Sequence, residues 1–365
     1  MEPDSQLPPR YPLVLATLVG VLFVSSAQFL VVSPILPRIA EATSVPESQL
    51  GVVVTAYAVA VGLCAFVAGP VSDSFGRRAV LRAGTTWMAV ALMLHGVATG
   101  FWSLVLVRFL AGTASGFLGG AAMAYVGDVV PDRYRGRAMG IVASGFAAGQ
   151  VLGIPIGALL AARVDYRTPF LAFGVLMTLC SAACWTVLVP GPPGEGKLRL
   201  DTALARYRGI LAERDLLLVN LASLTMMVSV SGFITYEPLW IERTFDVEEN
   251  GIALLFGVGG LANAAMGMYA GRLSDRVGRK VLVLFASTTL GLFMMTTPFM
   301  PSYLAILGLF IVTMGLVGVR ISPLNAWVTG LVDHKRRGSL MSLFLATGQV
   351  GFALGSAVAG PVFAT

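Results

Sequence analysis

GPVSDSFGRR at residues 69–78 returns as GRLSDRVGRK at residues 271–280, so one ten-residue segment occurs twice in the chain. The two copies are 202 residues apart. Three further pairs keep the same separation: Arg135-Gly136 with Arg337-Gly338, Gly149 with Gly351, and Gly153 with Gly355. One register shared by several separated segments indicates an internal repeat. The sequence therefore predicts two halves of similar structure.

The composition is that of a protein that lies in a lipid bilayer. Of the 365 residues, 56% are hydrophobic and 12% are charged, and the mean hydropathy is +0.81. A soluble domain carries about 25% charged residues, so roughly half of the usual solvating surface is missing. A membrane-spanning helix needs about 20 apolar residues, so this length accommodates about eleven or twelve spans. We expect an all-α polytopic membrane protein, which excludes a soluble enzyme, a nucleic-acid-binding protein and a secreted disulfide-rich protein.

Apolar runs between polar residues and helix breakers predict eleven spans. Their ranges are 12–36, 50–71, 80–99, 102–126, 138–161, 168–189, 216–236, 251–271, 281–299, 303–330 and 339–362. The longest hydrophilic segment separates six spans from five, which predicts an N-terminal six-helix bundle (1–189), a cytoplasmic linker (190–215) and a C-terminal bundle (216–365). In the repeat register a twelfth span would begin near residue 370. We therefore expect a fragment that lacks its last helix, with an eleven-span protein as the alternative.

The positions of lysine and arginine predict the orientation. Of the 25 such residues, 19 fall at the N-terminus or in every second loop, four fall in the loops of the other side, and Arg108 and Arg320 lie inside spans. The nineteen are Arg10, Arg77, Arg78, Arg82, Arg133, Arg135, Arg137, Lys197, Arg199, Arg206, Arg208, Arg214, Arg272, Arg276, Arg279, Lys280, Lys335, Arg336 and Arg337. Because cytoplasmic loops carry the excess of Lys and Arg, we expect the N-terminus and the linker in the cytoplasm. This asymmetry accounts for the net charge of +6 without a nucleic-acid partner.

Residues that could catalyse a reaction or bind a metal are sparse in this sequence. Cys64, Cys180 and Cys184 all fall inside predicted spans with no histidine nearby, as expected of small buried hydrophobic residues. The spans offer no nucleophile–base pair and no set of metal ligands with suitable spacing, and the chain has no Walker A loop. We therefore expect neither an enzyme nor a metal site, and no cofactor.

The repeated segment carries a family resemblance. Its pattern, Gly-x-x-x-Asp-x-x-Gly-Arg-Arg/Lys, lies between predicted spans 2 and 3 and again between spans 8 and 9. In pattern and position it resembles the signature loop of the major facilitator superfamily. The resemblance implies the major facilitator fold, with two six-helix pseudo-repeats related by an axis along the membrane normal. It also implies that both loops hold a cytoplasmic gate shut in the outward-facing state.

We expect nine residues to act in this gate. They are Gly69, Asp73, Gly76, Arg77, Asp128, Gly271, Asp275, Gly278 and Arg279. The first glycine of each copy permits close approach of helices, and the aspartate of each copy is placed to face a helix N-terminus of the opposite half, where an anion is favoured. Arg77 is placed to pair with Asp128, for which the second half offers Gly330. The alternative is that these residues make a tight turn and anchor the topology.

Spans 4 and 5 contain two further motifs. Arg108 opens the segment RFLAGTASG, which resembles the family motif with an intramembrane arginine. In proton-coupled members that arginine is linked to proton movement, and the alternative here is a residue that snorkels to the outer surface. Span 5 contains Gly149, Gly153, Pro155 and Gly157, a variant that resembles the glycine- and proline-rich motif of drug-efflux and arabinose-efflux-permease-like antiporters. These residues predict close helix packing and a bend.

Five polar residues are candidates for the substrate or proton pathway: Gln28, Arg108, Glu237, Arg320 and Asn325. Many proton-driven exporters of the family carry a carboxylate in span 1 or 4, and Gln28 occupies the matching stretch of span 1. Proton coupling would then depend on Glu237 or Asp128, on Arg108 with a partner, or on the missing helix. Two intramembrane arginines with almost no deep acid predict a positive cavity, which favours a neutral or anionic amphipathic solute over a cationic drug.

The function predicted from these features is secondary active transport by alternating access. We expect a monomeric antiporter of the bacterial inner membrane that exports a small amphipathic solute or drug in exchange for protons. One alternative is an importer or uniporter of a small metabolite. Another is a transporter-like receptor or non-transporting remnant, which Gln28 and the missing helix favour.

Overall fold

The computed structural model describes residues 11–191, 194, 196, 200–333 and 336–363. Within these ranges the chain is almost entirely helical and forms no strand. The helices are α1 (Tyr11–Leu30), α2 (Leu36–Thr43), α3 (Glu47–Phe75), α4 (Arg77–Met93), α5 (Phe101–Val129), α6 (Asp132–Ala148), α7 (Ile154–Arg163), α8 (Thr168–Val187), α9 (Leu200–Ala212), α10 (Arg214–Phe245), α11 (Glu249–Val277), α12 (Arg279–Thr296), α13 (Tyr303–Thr329) and α14 (Arg337–Phe363).

Eleven helical segments of the described residues are long and apolar enough to cross a membrane, which confirms the predicted number. Two of them continue past their α-helix as 3-10 turns, Leu94–Val97 after α4 and Thr297–Phe299 after α12. A third consists of α6 and α7 joined by a π-helical turn at Gly149–Gly153. The helices α2 and α9 are too short to span.

Two predicted boundaries are wrong. The first span was expected to reach residue 36, but α1 ends at Leu30 and a turn at residues 31–35 leads into α2. Pro34 and Pro37 flank this break; neither has a backbone N–H for a continuing helix. The seventh span was expected at residues 216–236, but α10 begins at Arg214 and continues through Pro238 to Phe245.

The linker between the two halves contains a helix that the sequence analysis did not anticipate. In α9, Tyr207 and Ile210 are buried, and the Tyr207 hydroxyl donates a hydrogen bond of 2.9 Å to the Phe66 carbonyl of α3. The rings of Tyr207 and Phe66 lie 4.4 Å apart. Burial raises the pKa of the Tyr207 hydroxyl above its ordinary value. Lys197 and Arg199 of the predicted linker lie outside the described residues.

The bundle has two ends, which we name from the charge pattern. At the basic end the helices are joined at Gly76, at residues 130–131, through the linker, at Gly278 and at residues 330–336. At the opposite end they are joined at residues 44–46, 98–100, 164–167, 246–248 and 300–302. Arg10 and Lys335, both assigned to the basic end by sequence, lie outside the described residues. We call α1–α8 the N-terminal group and α10–α14 the C-terminal group.

Candidate functional site

The most deeply buried charged side chain in the described part of the chain is Arg108 of α5. It lies seven residues past Phe101, about 10 Å below the opposite end at 1.5 Å per residue. One terminal nitrogen, Nη1, donates to the Gln28 carbonyl oxygen at 3.0 Å and to Gln28 Oε1 at 2.9 Å. Gln28 is itself fully buried in α1. The two helices thus hold a guanidinium in place through an amide side chain.

Tyr57 of α3 completes this cluster. Gln28 Nε2 donates a hydrogen bond of 2.6 Å to the Tyr57 hydroxyl oxygen, and the guanidinium carbon of Arg108 lies 4.3 Å from the centre of the Tyr57 ring. The ring of Phe170 lies 5.5 Å from the same carbon. A cation over an aromatic face gains about 2 kcal/mol or more when desolvated. The positive charge is therefore stabilised by an amide, carbonyl oxygens and two rings, rather than by a carboxylate, within the described residues.

An aromatic stack connects this cluster to the C-terminal group. Phe29 of α1 stacks on Tyr57 with ring centres 5.0 Å apart, and it also contacts Phe352 of α14 with ring centres 5.0 Å apart. Phe29, Tyr57 and Phe352 do not stand out in the sequence, because an aromatic residue inside an apolar span is ordinarily a packing residue. Their proximity depends on contacts between residues distant in sequence, which spacing along one helix does not encode.

The other pathway candidates lie on the C-terminal group, and none of them forms a hydrogen bond with the Arg108 cluster within the described residues. Glu237 of α10 is 5% exposed, and its Oε2 has no hydrogen-bond partner among the described residues. It lies eight residues before Phe245, about 12 Å below the opposite end and thus at about the depth of Arg108. Arg320 of α13 is 3% exposed with Nη2 unpaired in the described structure. It lies nearer the basic end, and Asn325, further along α13, is exposed.

The first copy of the repeated loop forms an ion-pair network. Gly76 takes a φ of +84°, a left-handed conformation that glycine adopts without a steric penalty, and so lets α4 begin directly after α3. Arg77 then pairs with Asp73 at 3.2 Å and with Asp128 of α5. The Arg77–Asp128 pair expected from the sequence is present. Asp73 lines a cavity beside Ser339 at the start of α14, close to the helix N-terminus that it was expected to face.

The second copy makes the same turn but a different set of contacts. Gly278 has a φ of +95°, and Arg279 donates a hydrogen bond of 3.1 Å to the Ala326 carbonyl near the end of α13. Asp275 is exposed and makes no hydrogen bond or ion pair within the described ranges, so its predicted contact with a helix N-terminus of the other half is not formed here. The two loops are therefore unequal.

The close helix approach predicted at Gly69 and Gly271 is not observed. A Cβ atom at Gly69 would lie 3.9 Å from Ser342 Oγ of α14, and one at Gly271 would lie 3.8 Å from Ser322 Oγ of α13. Both values are ordinary van der Waals contact. At Gly69 the helices α3 and α14 line a cavity of about 540 Å³ at the basic end.

The glycines of span 5 pack against α1. A Cβ atom would lie 2.4 Å from the Phe23 carbonyl oxygen at Gly149, 2.2 Å from the Ala27 Cβ at Gly153, and 2.4 Å from a Val31 methyl at Gly157. The π-helical turn begins at the first of these glycines, and Pro155 follows it. A π-turn and a proline both bend a helix. The motif thus combines a bend with close packing onto the helix that carries Gln28.

At the opposite end the two groups are in direct contact. Arg243 of α10 pairs with Glu47 of α3, and the Tyr236 hydroxyl donates a hydrogen bond of 3.0 Å to the Glu47 carbonyl oxygen. Deeper in the bundle, Thr55 Oγ1 and Ser356 Oγ of α14 lie 2.8 Å apart. These contacts close the space between the two groups at the opposite end, whereas a cavity lies between α3 and α14 at the basic end.

This arrangement of spanning helices, repeated loops and one closed end can be compared with known proteins. The family model of the Major Facilitator Superfamily matches residues 18–356. The chain belongs to the major facilitator superfamily. Because members of this superfamily are transporters and not enzymes, the chain is a multi-pass membrane transporter.

Relatives within the superfamily are distant but cover most of the chain. The uncharacterized MFS-type transporter YceJ of Bacillus subtilis (strain 168) is 28% identical over 347 residues, covering 93% of this chain and 87% of YceJ. The tetracycline resistance protein, class C, of Escherichia coli is 26% identical over 364 residues, covering 96% and 88%. A crystal structure of a bacterial homolog to the human lysosomal transporter Spinster, in an inward-facing and occupied conformation, has a TM-score of 0.79 at 18% identity, covering 98% of this chain and 83% of that one. That likeness concerns the fold.

Proposed function

We propose that this transporter exports a small neutral or anionic amphipathic solute in exchange for protons, by alternating access between its two groups of helices. The observation that carries the proposal is the fully buried Arg108, whose partners Gln28 and Tyr57 come from two other helices. Tyr57 stacks on Phe29, which contacts Phe352 of the C-terminal group. An intramembrane charge is a functional site by default. Export is favoured by the relative that is named for tetracycline resistance, because a membrane transporter protects a cell by removing the compound.

The proposed substrate chemistry follows from the charges. Arg108 and Arg320 are both buried. Neither forms an ion pair within the described residues. A guanidinium binds carboxylates and phosphates through paired hydrogen bonds. An anionic or polar neutral group therefore complements these residues better than a cation does.

The proposed proton carrier is Glu237. A buried carboxylate that lacks a charged partner is costly, so this group is expected to alternate between a protonated form inside the bundle and an ionised form exposed to water. Glu237 lies at about the depth of Arg108 but on the other group of helices. A relative motion of the two groups would therefore change whether its carboxyl group contacts protein or water.

We also propose the architecture and orientation that the sequence predicts. The units are a six-helix bundle at residues 1–189, a linker at 190–215 and a second bundle from residue 216, acting as a monomer in the bacterial inner membrane. The basic end faces the cytoplasm, since the excess of Lys and Arg marks that side. The closed opposite end then faces outward.

A flux assay tests this function. The protein is reconstituted in proteoliposomes with an imposed pH gradient, and a panel of amphipathic acids, neutral compounds and lipophilic cations is screened by substrate-evoked proton movement. We expect acids or neutral compounds to evoke proton flux, and we expect Arg108→Ala, Arg320→Ala and Glu237→Gln to abolish it. Arg163→Gln, at an exposed arginine of the opposite end, is the matched control and retains flux. Preference for lipophilic cations contradicts the proposed substrate class, and flux that is independent of the pH gradient indicates a uniporter.

A further inference from the structure

A groove on the outer surface of the bundle runs between α4 and α8, outside the transport pathway. It has a volume of about 530 Å³ and is lined mainly by apolar side chains. Val90 is 45% exposed, Met93 is 44% exposed and Trp185 is 54% exposed, so the groove opens towards lipid rather than into the helix bundle. Lipid chains are therefore its natural surroundings.

The groove meets a basic pocket at Trp185. This second cavity, of about 510 Å³, is lined by Arg78, Arg82, Trp185 and Gly191 among others. None of its lining residues in the described part of the chain is acidic. The apolar groove therefore adjoins a pocket that carries two cations, at the end of the groove nearest the basic end of the bundle.

Arg82 is held in place by the end of α8. Its Nε donates to the Cys184 carbonyl oxygen at 3.2 Å and its Nη2 donates to the Trp185 carbonyl oxygen at 2.5 Å. Its guanidinium carbon lies 5.0 Å from the centre of the Trp185 ring. The indole N–H of Trp185 donates a hydrogen bond of 3.1 Å to Thr86 Oγ1, which fixes the ring between the pocket and the groove. The guanidinium is therefore held in position by Nε and Nη2, and its Nη1 makes no hydrogen bond within the described residues.

Arg78 lies one helical turn before Arg82, on the same face of α4. Its Nε is buried and has no hydrogen-bond partner among the described residues. The neighbouring Arg77 differs, because Asp73 and Asp128 neutralise it. Among the described residues the pocket therefore holds two guanidinium groups and no carboxylate, and Arg78 has a buried N–H donor that a phosphate oxygen would satisfy.

The dimensions match one leaflet of a membrane. From Arg82 to Met93 the helix rises about 16 Å at ~1.5 Å per residue. That distance is about half of the ~30 Å hydrocarbon core, and therefore the depth of one acyl layer. A phosphate bound at the arginines would have its acyl chain beside Trp185 and along Val90 and Met93.

We propose that this surface is a binding site for an anionic phospholipid, whose phosphate binds Arg78 and Arg82 and whose acyl chain fills the groove between α4 and α8. Basic pockets between transmembrane helices select anionic headgroups in this way. The occupant is a lipid and not free phosphate, because the pocket and the apolar groove adjoin at Trp185, which lines both. The second half lacks an equivalent: at the 202-residue offset, Lys280 replaces Arg78 and Leu284 replaces Arg82.

The test compares lipid binding by delipidated protein in detergent. Phosphatidylglycerol and phosphatidylcholine are titrated separately, and bound lipid is counted by native mass spectrometry with thermal unfolding as a second readout. For the wild type we expect about tenfold tighter binding of phosphatidylglycerol, the effect of one charge-assisted hydrogen bond. We expect Arg78→Gln to remove most of this preference and Lys280→Gln, its counterpart in the second half, to keep it.

A second pair of variants tests the acyl groove and leaves the arginines intact. Ala182→Phe fills the groove, whereas Leu179→Phe adds the same ring at an exposed position of α8 outside it. We expect the first variant to lose tight lipid binding and the second to retain it. The proposal is overturned if Arg78→Gln and Lys280→Gln keep the same lipid preference, or if glycerol phosphate binds as tightly as phosphatidylglycerol.

Discussion

Burying Arg108 in a membrane bundle is costly, and the partners on α1 and α3 are what stabilise it. A charged side chain at the helix centre costs at least about 2.5–3.5 kcal/mol on insertion scales. Here Gln28 supplies two acceptors and uses its own amide N–H to bind Tyr57, so one side chain orients both the cation and the ring beneath it. Gln28 is thus a positioning residue. A substitution at Tyr57 that shifts the Gln28 side chain should also shift Arg108, because Gln28 binds both residues.

We predict that Tyr57→Phe destabilises the protein by about 1 kcal/mol, since a buried hydrogen bond is lost while the ring remains. The amide of Gln28 keeps a weaker bond to the Ser25 carbonyl oxygen at 3.3 Å. Tyr57→Leu should cost at least about 1 kcal/mol more, because it also removes the ring face under Arg108. Unfolding in detergent by heat measures both. Equal stability of the two variants would show that the ring contributes nothing to holding Arg108.

At this scale the sequence predicted the polar residues and missed the aromatic ones. Arg108 and Gln28 are conspicuous because polar side chains are rare inside spans. Phe29 and Tyr57 are not, since aromatic residues are common in apolar helices and their role follows only from packing across three helices. The sequence also could not show that Glu237 makes no hydrogen bond with Arg108 in the described structure, because depth along two helices does not give the lateral distance between their side chains.

At the scale of an element, the fifth span shows how a glycine motif sets the shape of a helix. The contacts at Gly149 and Gly153 are too close for any side chain, and the π-turn runs from the first of these glycines to the second. The bend therefore belongs to the interface with α1. In the helix α9, by contrast, the sequence carries no clear signal. Its Tyr207 and Ile210 are buried by contact with other helices, but the many charged residues around them make this short amphipathic pattern difficult to recognise.

We predict opposite effects for two glycine-to-alanine substitutions in this span. Gly153→Ala places a methyl group 2.2 Å from the Ala27 Cβ, and such overpacking typically costs about 1–3 kcal/mol. Gly140→Ala, in α6, has open space around the new methyl group and should stabilise the helix by up to about 1 kcal/mol. Thermal unfolding of both variants is the measurement. If Gly153→Ala is as stable as Gly140→Ala, the close contact with α1 is not a constraint on the fold.

For the whole molecule, the central feature is the unequal contact between the two groups at the two ends. The two groups are joined at the opposite end by the Glu47–Arg243 ion pair and, below it, by the hydrogen-bonded pair Thr55 and Ser356. The basic end holds a cavity between α3 and α14. The number of spans and the repeat could be predicted from the sequence, whereas the closed end could not, because one sequence encodes every conformation of a transporter.

We predict that the Glu47–Arg243 pair biases the closed state slightly. The pair is partly exposed, so Arg243→Gln should shift the equilibrium by at most about 1 kcal/mol, or about fivefold. The alkylation rate of Ser356→Cys, placed in a background where Cys64, Cys180 and Cys184 are replaced by serine, reports the opening. This rate should rise up to about fivefold in Arg243→Gln. The charge swap Glu47→Arg with Arg243→Glu restores the attraction and should return the rate towards the starting value; a rate that stays high argues against the ion pair as the cause.

The most direct test of alternating access is a reversible cross-link at the closed end. Thr55→Cys and Ser356→Cys replace two hydroxyl groups whose oxygen atoms lie 2.8 Å apart, so their sulfur atoms should form a disulfide in the same cysteine-free background. The measurement is substrate-evoked proton flux in proteoliposomes before oxidation, after oxidation and after reduction, with the single Ser356→Cys variant as the control. We predict that oxidation stops flux in the double variant and that reduction restores it. Unchanged flux through the cross-linked protein would contradict alternating access between these two groups of helices.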